Sequence, residues 1–351
     1  MILQVFYRDS LGIEITSFYV SHVKLRKKGK RLKILNSGIK FAKYTADEGE
    51  RHEQILQFLK EIKKEAKYDI EDILVVNFPM DELLFWRMTL PKMNEEQMKN
   101  AAKIQINKEL NVPIEDIILD FVDIGVSGVM KDLGIFITKV QTVNRIVSML
   151  RSAGFDEPDV VDVDFLKYLH LCDKNRFSTL DFVAIESFEG TTIAIIQEGK
   201  IAWMEVSPIS LMELAYMLSD NYGVSVENAL KILAEGSEIG SFGKDVSEIL
   251  DAHYRNTGLE IEKLIRSFAS SRKMDIGKAT LYLFSVNLRM SNEFAKYIEN
   301  TGILGGIPVR VLPLRNDVPV FSAPIGALGL AYRGVMEVGE GIFISKEKAK
   351  T

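Results

Sequence analysis

Residues that carry chemistry are scarce in this sequence of 351 residues. Cys172 is the one cysteine, so we expect neither a disulfide framework nor a thiolate metal site. The histidines show none of the spacings that metal ligands require, and they are His22, His52, His170 and His253. We therefore predict a protein of a reducing compartment that holds no metal ion.

Long apolar runs and an excess of positive charge are also missing. No run approaches the ~20 apolar residues that cross a bilayer, and the N-terminus lacks a signal-peptide pattern. The net charge of -5 argues against nucleic acid as a partner. Apolar residues make up 47% of the chain, which is enough for the cores of two domains. We expect a cytoplasmic protein of the α/β class.

The first half of the chain alternates between strand and helix patterns. Apolar runs at 2–7, 11–20 and 32–41 predict strands, and Arg8, Asp9 and Ser10 predict a tight turn between the first two. A helix with apolar residues at helical spacing follows around 55–62, and a buried strand follows at 73–79. This order predicts an α/β domain with a mixed sheet.

A basic run separates the second and third predicted strands. It holds seven basic residues, Lys24, Arg26, Lys27, Lys28, Lys30, Arg31 and Lys33. A solvated hairpin tip is the usual reason for such a run. Contact with anionic lipid headgroups is the alternative, worth roughly 1 kcal/mol per basic residue near the surface.

The second half repeats the plan of the first. Runs at 180–187, 191–199 and 200–209 predict strands, and 211–222, 226–233, 245–254 and 259–268 predict helices. A strand at 280–286, a helix at 292–299, a strand at 307–313 and a helix at 324–334 follow. We predict two similar domains, 1–178 and 179–338, with insertions near 84–155 and 211–275 and a flexible tail at 339–351.

The middle of the first half contains an amphipathic helix. Asn94, followed by Gln97, has the spacing of a capping box. Met98, Ala102, Ile106 and Leu110 form a narrow apolar stripe at intervals of four residues. The helix should end before Pro113, because proline restricts the residue that precedes it.

The stretch WRMTLPKMNEEQMKNAAKIQINKELNVPIEDIILDF, together with four further pieces in the same order, resembles the PilM family of type IV pilus assembly proteins. The matching positions are Arg87, Leu90, Pro91, Met93, Glu96, Pro113, Leu119 and Asp120. The resemblance covers residues 2–334. It implies the actin-like ATPase fold, a duplicated ribonuclease H-like architecture of two domains.

The same resemblance implies a partner. In this family the middle subdomain and the first domain form a groove that takes the short cytoplasmic tail of PilN, an inner-membrane protein. We assign Arg87, Met98, Ile106 and Leu110 to that groove. The sequence LNVP at 110–113 departs from the family pattern, so the preferred peptide is expected to differ.

Three loops of the family fold hold nucleotide, and all three depart from the family pattern here. The aspartate and glycine of the first loop fall on Tyr7 and Asp9, and those of the second fall on Ile185 (or Glu186) and Ser187. The third loop has Val286, Asn287 and Leu288 in place of glycines. Carboxylates repel phosphates, and side chains block the close approach of backbone. We therefore expect no ATPase activity and no cofactor.

Three roles remain as hypotheses. The first is a non-catalytic scaffold of a type IV pilus or a related secretion machine, at the inner face of the inner membrane, which binds a PilN-like tail and contacts motor components. The second is an active ATPase or ATP-dependent switch, in which Ser10, Gly190, Thr191 and Thr192 contact the phosphates of ATP and Glu186 or Asp164 positions a magnesium ion. The cytoplasmic domain of a type II secretion platform protein is a further alternative.

Overall fold

The computed structural model describes residues 8–45, 47–236, 246–320, 323–336 and 344–345. The strand predicted at 2–7 and most of the tail predicted at 339–351 lie outside these residues. The chain forms two compact units, Met1–Cys172 with Leu314–Thr351, and Asp173–Pro313. The first unit therefore includes a C-terminal segment that the sequence pattern placed in the second domain.

The first unit is built on a mixed sheet with an inserted subdomain. Its elements in chain order are β1 (Arg8–Ile15), β2 (Tyr19–Lys28), β3 (Arg31–Phe41), α1 (Glu48–Glu65), β4 (Ile73–Phe78), β5 (Leu84–Pro91), α2 (Glu95–Leu110), β6 (Ile117–Ser127), β7 (Met130–Lys139), α3 (Val140–Ser152), β8 (Val160–Val163) and α4 (Leu166–Leu169). The C-terminal segment adds α9 (Ile325–Val335) and β14 (Ile344–Ser345).

The main sheet has the strand order β14-β8-β4-β1-β2-β3. Strands β1, β2 and β3 are antiparallel, while β1, β4 and β8 are parallel. The turn predicted at Arg8, Asp9 and Ser10 is wrong, because these residues belong to β1. Ser10 pairs with Leu25 on one side and with Ile73 on the other, which makes β1 a central strand. The β1–β2 turn lies instead at residues 16–18.

Helices pack against this sheet through an apolar core. Leu59 and Ile62 of α1 and Ile146 and Leu150 of α3 are buried with the side chains of β1, β4 and β8. Helix α9 lies very close to β1, because a Cβ atom on Gly12 would stand 2.3 Å from the carbonyl oxygen of Ala327. This close approach explains why the C-terminal helix belongs to the first unit.

The inserted subdomain is a three-stranded sheet, in the order β5-β7-β6, covered by α2. The predicted capping box is confirmed, since Asn94 accepts from the backbone N–H of Gln97 and the Gln97 side chain returns to Asn94. The sheet ends at Lys139. Helix α3 packs with α1 in the main core, so the inserted sheet is shorter than the predicted range of 84–155.

The second unit repeats the sheet of the first. Its elements are β9 (Leu180–Glu186), β10 (Thr191–Gln197), β11 (Lys200–Ser207), α5 (Leu211–Tyr222), α6 (Val226–Glu235), α7 (Ser247–Arg272), β12 (Leu281–Phe284), α8 (Leu288–Thr301) and β13 (Val309–Val311). The order β11-β10-β9-β12-β13 matches β3-β2-β1-β4-β8 strand for strand, with the same parallel and antiparallel pairs. The predicted internal duplication is confirmed.

Helix α7 replaces two predicted helices. The pattern placed a break between 254 and 259, but α7 continues through Gly258. A Cβ atom on Gly258 would stand 2.2 Å from Cδ1 of Ile298 in α8, so this glycine permits close helix packing rather than ending a helix. Within the described residues, no helix has both the length and the apolar character of a membrane span.

Candidate functional site

The inserted sheet has two faces with different roles. Met88, Leu90, Leu133 and Ile135 point toward α2 and form the core of the subdomain. The residues that alternate with them point away from α2, as they must in a pleated sheet. Phe85, Arg87 and Phe136 lie on this second face, where the rings of Phe85 and Phe136 meet edge to face at 5.1 Å.

A cleft within the first unit lies between this second face and the main sheet. Phe78, Val161 and Val163 line it from β4 and β8. Ile118, Asp120 and Phe136 line it from the inserted sheet. The cleft is thus lined mainly by apolar side chains, with the carboxylate of Asp120 among them.

The predicted groove residues on α2 lie elsewhere. Met98 and Ile106 are buried, with exposed fractions of 4% and 1%, and they pack on the face of the sheet opposite the cleft. Leu110 packs partly against the same core. This placement corrects their assignment to a groove, because side chains that fill the subdomain core cannot contact a peptide on its other side.

Arg87 lies on the cleft side of the inserted sheet but is not among the residues that line the cleft. Its guanidinium is 3.2 Å from Oδ2 of Asp132 on the neighbouring strand, and both side chains are about a quarter exposed. Arg87 is therefore held by an ion pair on this face of the sheet, outside the lining of the cleft.

The basic run at 24–33 occupies two strands and the turn between them. Lys24 is buried and its ammonium lies 2.7 Å from Oδ2 of Asp72, while Arg26 forms two hydrogen bonds to Asp9. Basic residues are exposed only toward the turn, at Lys28, Lys30, Arg31 and Lys33. Lys24 and Arg26 thus serve the fold, and a membrane contact through the remaining residues stays a prediction.

The first hairpin turn is closed by its own threonine. The Oγ1 atom of Thr16 accepts from the backbone N–H groups of Phe18 and Tyr19 at 3.1 and 3.0 Å. The same hydroxyl donates to the carbonyl oxygen of Tyr19 at 3.0 Å. Two N–H groups of the kind that cradle a phosphate are thereby engaged within the turn.

Ser10 does not belong to this turn. It is buried in β1, and its hydroxyl donates to the carbonyl oxygen of Ile73 at 3.0 Å. The sequence pattern assigned it to a nucleotide site because a turn was predicted around it. Its position inside a paired strand corrects that assignment.

A buried charged cluster lies directly behind the first turn. Lys167 contacts Glu14 at 2.6 Å and also Asp164, while Ser21 donates to the second oxygen of Glu14 at 2.7 Å. Asn77 donates to Asp164 at 2.8 Å. The ammonium of Lys167 thus pairs with the carboxylates of both Glu14 and Asp164. Asp164 is one of the two residues to which the ATPase hypothesis assigned magnesium.

Burial and charge act in opposite directions in this cluster. Burial alone lowers the pKa of Lys167, but Asp164 and Glu14 outweigh it and hold that pKa well above its ordinary value. Burial raises the pKa of Asp164 despite the neighbouring ammonium. The two carboxylates thus favour the charged form of Lys167.

The second hairpin turn, between β9 and β10, is closed in a similar way. The carbonyl oxygen of Gly190 accepts from the backbone N–H of Ser187 at 2.9 Å and from its hydroxyl at 3.0 Å. The Ser187 hydroxyl also accepts from the N–H of Glu189 at 3.2 Å. Gly190 is pressed against the carbonyl of Ser207, since an added Cβ would lie 2.7 Å from that oxygen.

The polar residues beside the second turn are likewise engaged inside their own unit. Glu186 is 1% exposed, and its two oxygens lie 2.7 Å from Nε2 of His253 and 2.7 Å from Oγ of Ser285. The hydroxyl of Thr191 donates to the carbonyl of Ile209 at 2.8 Å. Thr192 is also buried. The structure thus brings Glu186, Gly190, Thr191 and Thr192 together, but with their polar groups turned inward.

The third loop begins α8 with a side-chain cap. Asn287 accepts from the N–H of Met290 at 3.0 Å and donates to the carbonyl of Leu233 at 2.7 Å. The N–H of Ser285 donates to Oγ of Ser291 at 2.9 Å. Asn287 thus caps α8 by accepting from one of the backbone N–H groups of its first turn.

Side chains of the three loops bond part of the loops' own backbone N–H groups. Phosphate recognition by hairpins needs backbone N–H groups that point outward and glycines that let a phosphate approach. Here Thr16, Ser187 and Asn287 satisfy N–H groups of the three loops, each within its own unit. Sequence reasoning missed the roles of Thr16 and Ser187. A hydroxyl residue at the start of a turn is the signal that indicates them.

Comparison with known proteins identifies the family of the chain. Residues 12–284 match the family model described as type IV pilus assembly protein PilM. The chain belongs to the PilM family. The match extends into both units and includes the inserted sheet, the cleft and the two hairpin turns. The resemblance predicted from the sequence is confirmed.

Solved structures show the fold of this PilM-family chain. A structure described as the PilM-PilN type IV pilus biogenesis complex has a TM-score of 0.69 and 17% identity, covering 93% of this chain and 98% of that chain. The ethanolamine utilization protein EutJ from Carboxydothermus hydrogenoformans has a TM-score of 0.54 and 13% identity, covering 93% and 91%. The predicted actin-like fold is confirmed.

Two further comparisons give no information about the function of this chain. The cytoplasmic domain of EpsL, an inner membrane component of the type II secretion system of Vibrio cholerae, is 12% identical over 62% of this chain and 77% of that chain, with a TM-score of 0.39. None of the curated proteins matches this chain.

Proposed function

We propose that this PilM-family chain is a non-catalytic scaffold that binds the cytoplasmic tail of a PilN-like inner-membrane protein. It works at the cytoplasmic face of the inner membrane in a type IV pilus or a related secretion machine. The tail docks in the cleft between the inserted sheet and β8, and no nucleotide is needed for docking.

One observation carries the non-catalytic part of the proposal. In each unit, backbone N–H groups of the turn that would bind a phosphate donate to a hydroxyl of the same turn. The acceptor is Thr16 in the first unit and Ser187 in the second. Opening either turn for a ligand would break bonds worth about 0.5–1.5 kcal/mol each. The chain thus retains the actin-like architecture, while the loops that hold nucleotide in the family fold make internal contacts.

The tail-binding part is supported by the cleft and by a relative. The relative's structure is described as a complex of PilM with PilN, and its fold matches this chain closely. The cleft offers apolar contacts from Val161, Val163 and Ile118 beside a strand edge. A tail in extended conformation gains main-chain hydrogen bonds from the edge and specificity from the apolar contacts.

The rival hypothesis of an active ATPase needs polar groups that are already engaged. Ser10 and Thr191 donate to backbone carbonyls, and Glu186 is held by His253 and Ser285. No contact in the described residues favours magnesium over the internal cation Lys167 at Asp164. The platform-protein alternative likewise has no observation in its favour.

Binding of a labelled tail peptide tests the proposal. The peptide is the cytoplasmic N-terminal segment of the PilN-like protein from the same genome, and fluorescence anisotropy without nucleotide measures its affinity. We expect saturable binding that Ile118→Ala weakens about fivefold, since a loss of about 1 kcal/mol of apolar contact has that effect.

Ile104→Ala is the matched control, because Ile104 is half-exposed on α2, on the side of the subdomain away from the cleft. Its affinity should equal that of the wild type. Peptide binding that is equally weakened by both substitutions, or that requires ATP, would contradict the proposal. Circular dichroism confirms that both variants are folded.

A further inference from the structure

The outer edge of β8 is occupied by the chain itself. Strand β8 has four residues and pairs in parallel with β4 along one edge. Along the other edge it pairs antiparallel with β14, in a register that sets Val161 opposite Ile344 and Val160 opposite Ser345. Strand β14 follows α9 after an eight-residue interval, 336–343.

This edge adjoins the cleft described above. Val161 and Val163 of β8 line the cleft, and Ile118 and Asp120 line it from β6. Strand β14 lies beside both β8 and β6. An extended peptide that entered the cleft and paired with β8 would therefore need the edge that β14 holds.

We propose that β14 is a displaceable strand that occupies the partner-binding edge of β8 in the resting chain. A partner's extended tail adds to the same edge only after β14 leaves it. This inference rests on the proposed function, because it names how access to the tail-binding cleft is regulated. The partner it fits is an extended peptide that pairs through its main chain.

The size of β14 suits an occupant that can be displaced. Its ladder with β8 is only two residues long, so few main-chain hydrogen bonds hold it. Its tether to α9 is short, and a short tether gives an effective concentration in the millimolar range. A weak contact at high local concentration keeps an edge covered but yields to a tighter partner. Covering a bare strand edge also protects it from pairing with other chains.

A designed disulfide tests whether β14 sits on β8. Val161→Cys combined with Ile344→Cys places the two substitutions at directly opposite positions of an antiparallel ladder, where Cα atoms are typically about 4.5–5.5 Å apart, a separation that a disulfide can bridge. The register control combines Val163→Cys with the same Ile344→Cys. We expect fast oxidation of the Val161 pair and slow oxidation of the Val163 pair. The native Cys172 is buried and does not compete.

Peptide affinity then tests whether β14 blocks the site. The probe is the labelled PilN-like tail peptide, measured on the wild type, on a chain that ends at Met336, and on the Val161→Cys/Ile344→Cys variant before and after reduction. If β14 covers the edge in nine molecules of ten, removing it raises the apparent affinity about tenfold. The oxidised variant should lose binding, and reduction of the same variant should raise its affinity again.

The outcomes separate this inference from the proposed function. Tighter binding by the shortened chain, together with loss in the oxidised variant, supports both. Equal binding by all forms overturns the inference but leaves tail binding intact. Absence of binding by every form, the shortened chain included, overturns the proposed function and the inference with it. Failure of the Val161 pair to oxidise faster than the Val163 pair overturns the inference alone.

Discussion

At the scale of single residues, the informative side chains are buried charges. Glu14 and Glu186 each lie at or next to the end of the first strand of their unit, and both are almost fully buried. Lys167 neutralises the first, while His253 and Ser285 hold the second. Side chains of the same unit thus occupy hydrogen-bonding positions of both carboxylates.

Removing the internal cation should be costly. Lys167→Met leaves Glu14 and Asp164 buried without a positive partner, so we expect a loss of about 3–5 kcal/mol in the free energy of unfolding. Urea denaturation at neutral pH measures it.

Lys263→Met is the matched control, since Lys263 forms only an exposed ion pair with Glu260. The control should change the free energy of unfolding by less than about 1 kcal/mol. A Lys167→Met chain as stable as its control would show that the buried cluster does not depend on its cation.

At this scale the sequence reveals residue types but not their partners. Glu186 was recognised as a candidate, yet its bonds to His253 and Ser285 join residues 67 and 99 positions away. Glu14 was not singled out, because nothing in the sequence pattern connects it with Lys167, 153 residues further on. Such pairings depend on tertiary structure and have no local signal.

At the scale of elements, α2 shows how an amphipathic stripe is best interpreted. Met98, Ala102 and Ile106 pack on the inserted sheet and form its core. The spacing correctly predicted the helix and its buried face. It could not tell whether that face meets the chain's own sheet or a partner, because both surfaces are apolar.

Two isoleucines on α2 test this assignment. Ile106 is 1% exposed and Ile104 is 50% exposed. Ile106→Ala should lower the free energy of unfolding by about 2–5 kcal/mol, as expected for a buried side chain that leaves a cavity. Ile104→Ala should stay within about 0.5 kcal/mol of the wild type. Thermal or urea unfolding compares the two, and similar stabilities would contradict the core assignment.

The predicted boundaries of strands and helices were wrong where tertiary contacts override a local sequence signal. Arg8, Asp9 and Ser10 have the composition of a turn, but Asp9 is bonded to Arg26 and Ser10 to Ile73 across neighbouring strands. Two helices were predicted at 245–254 and 259–268, but α7 is continuous, and the lack of a side chain at Gly258 lets it approach Ile298. Capping at Asn94 depends only on residues within one helical turn, and there the prediction is confirmed.

At the scale of the whole molecule, the duplication was the most predictable feature. Two repeats of the same strand and helix order are visible in the sequence, and the two sheets share one strand order. The placement of α9 in the first unit was not predictable in the same way. It depends on glycines such as Gly12 and Gly329, which allow α9 to lie against β1 and α4.

The two units also share the way in which their hairpin turns are closed. Each turn has a hydroxyl residue near its start that bonds the turn's own backbone, Thr16 in one unit and Ser187 in the other. A buried glutamate lies beside each turn, Glu14 in the first unit and Glu186 in the second. The two hairpin turns therefore share one local hydrogen-bonding arrangement, on which the proposed non-catalytic role depends.

Isothermal titration calorimetry with ATP and Mg²⁺ tests this central claim most directly. The full chain at neutral pH should give no saturable heat up to about 1 mM nucleotide, the concentration that corresponds to a binding free energy of about 4 kcal/mol. Saturable one-to-one binding with a micromolar dissociation constant would contradict the claim that the loops are closed to phosphate.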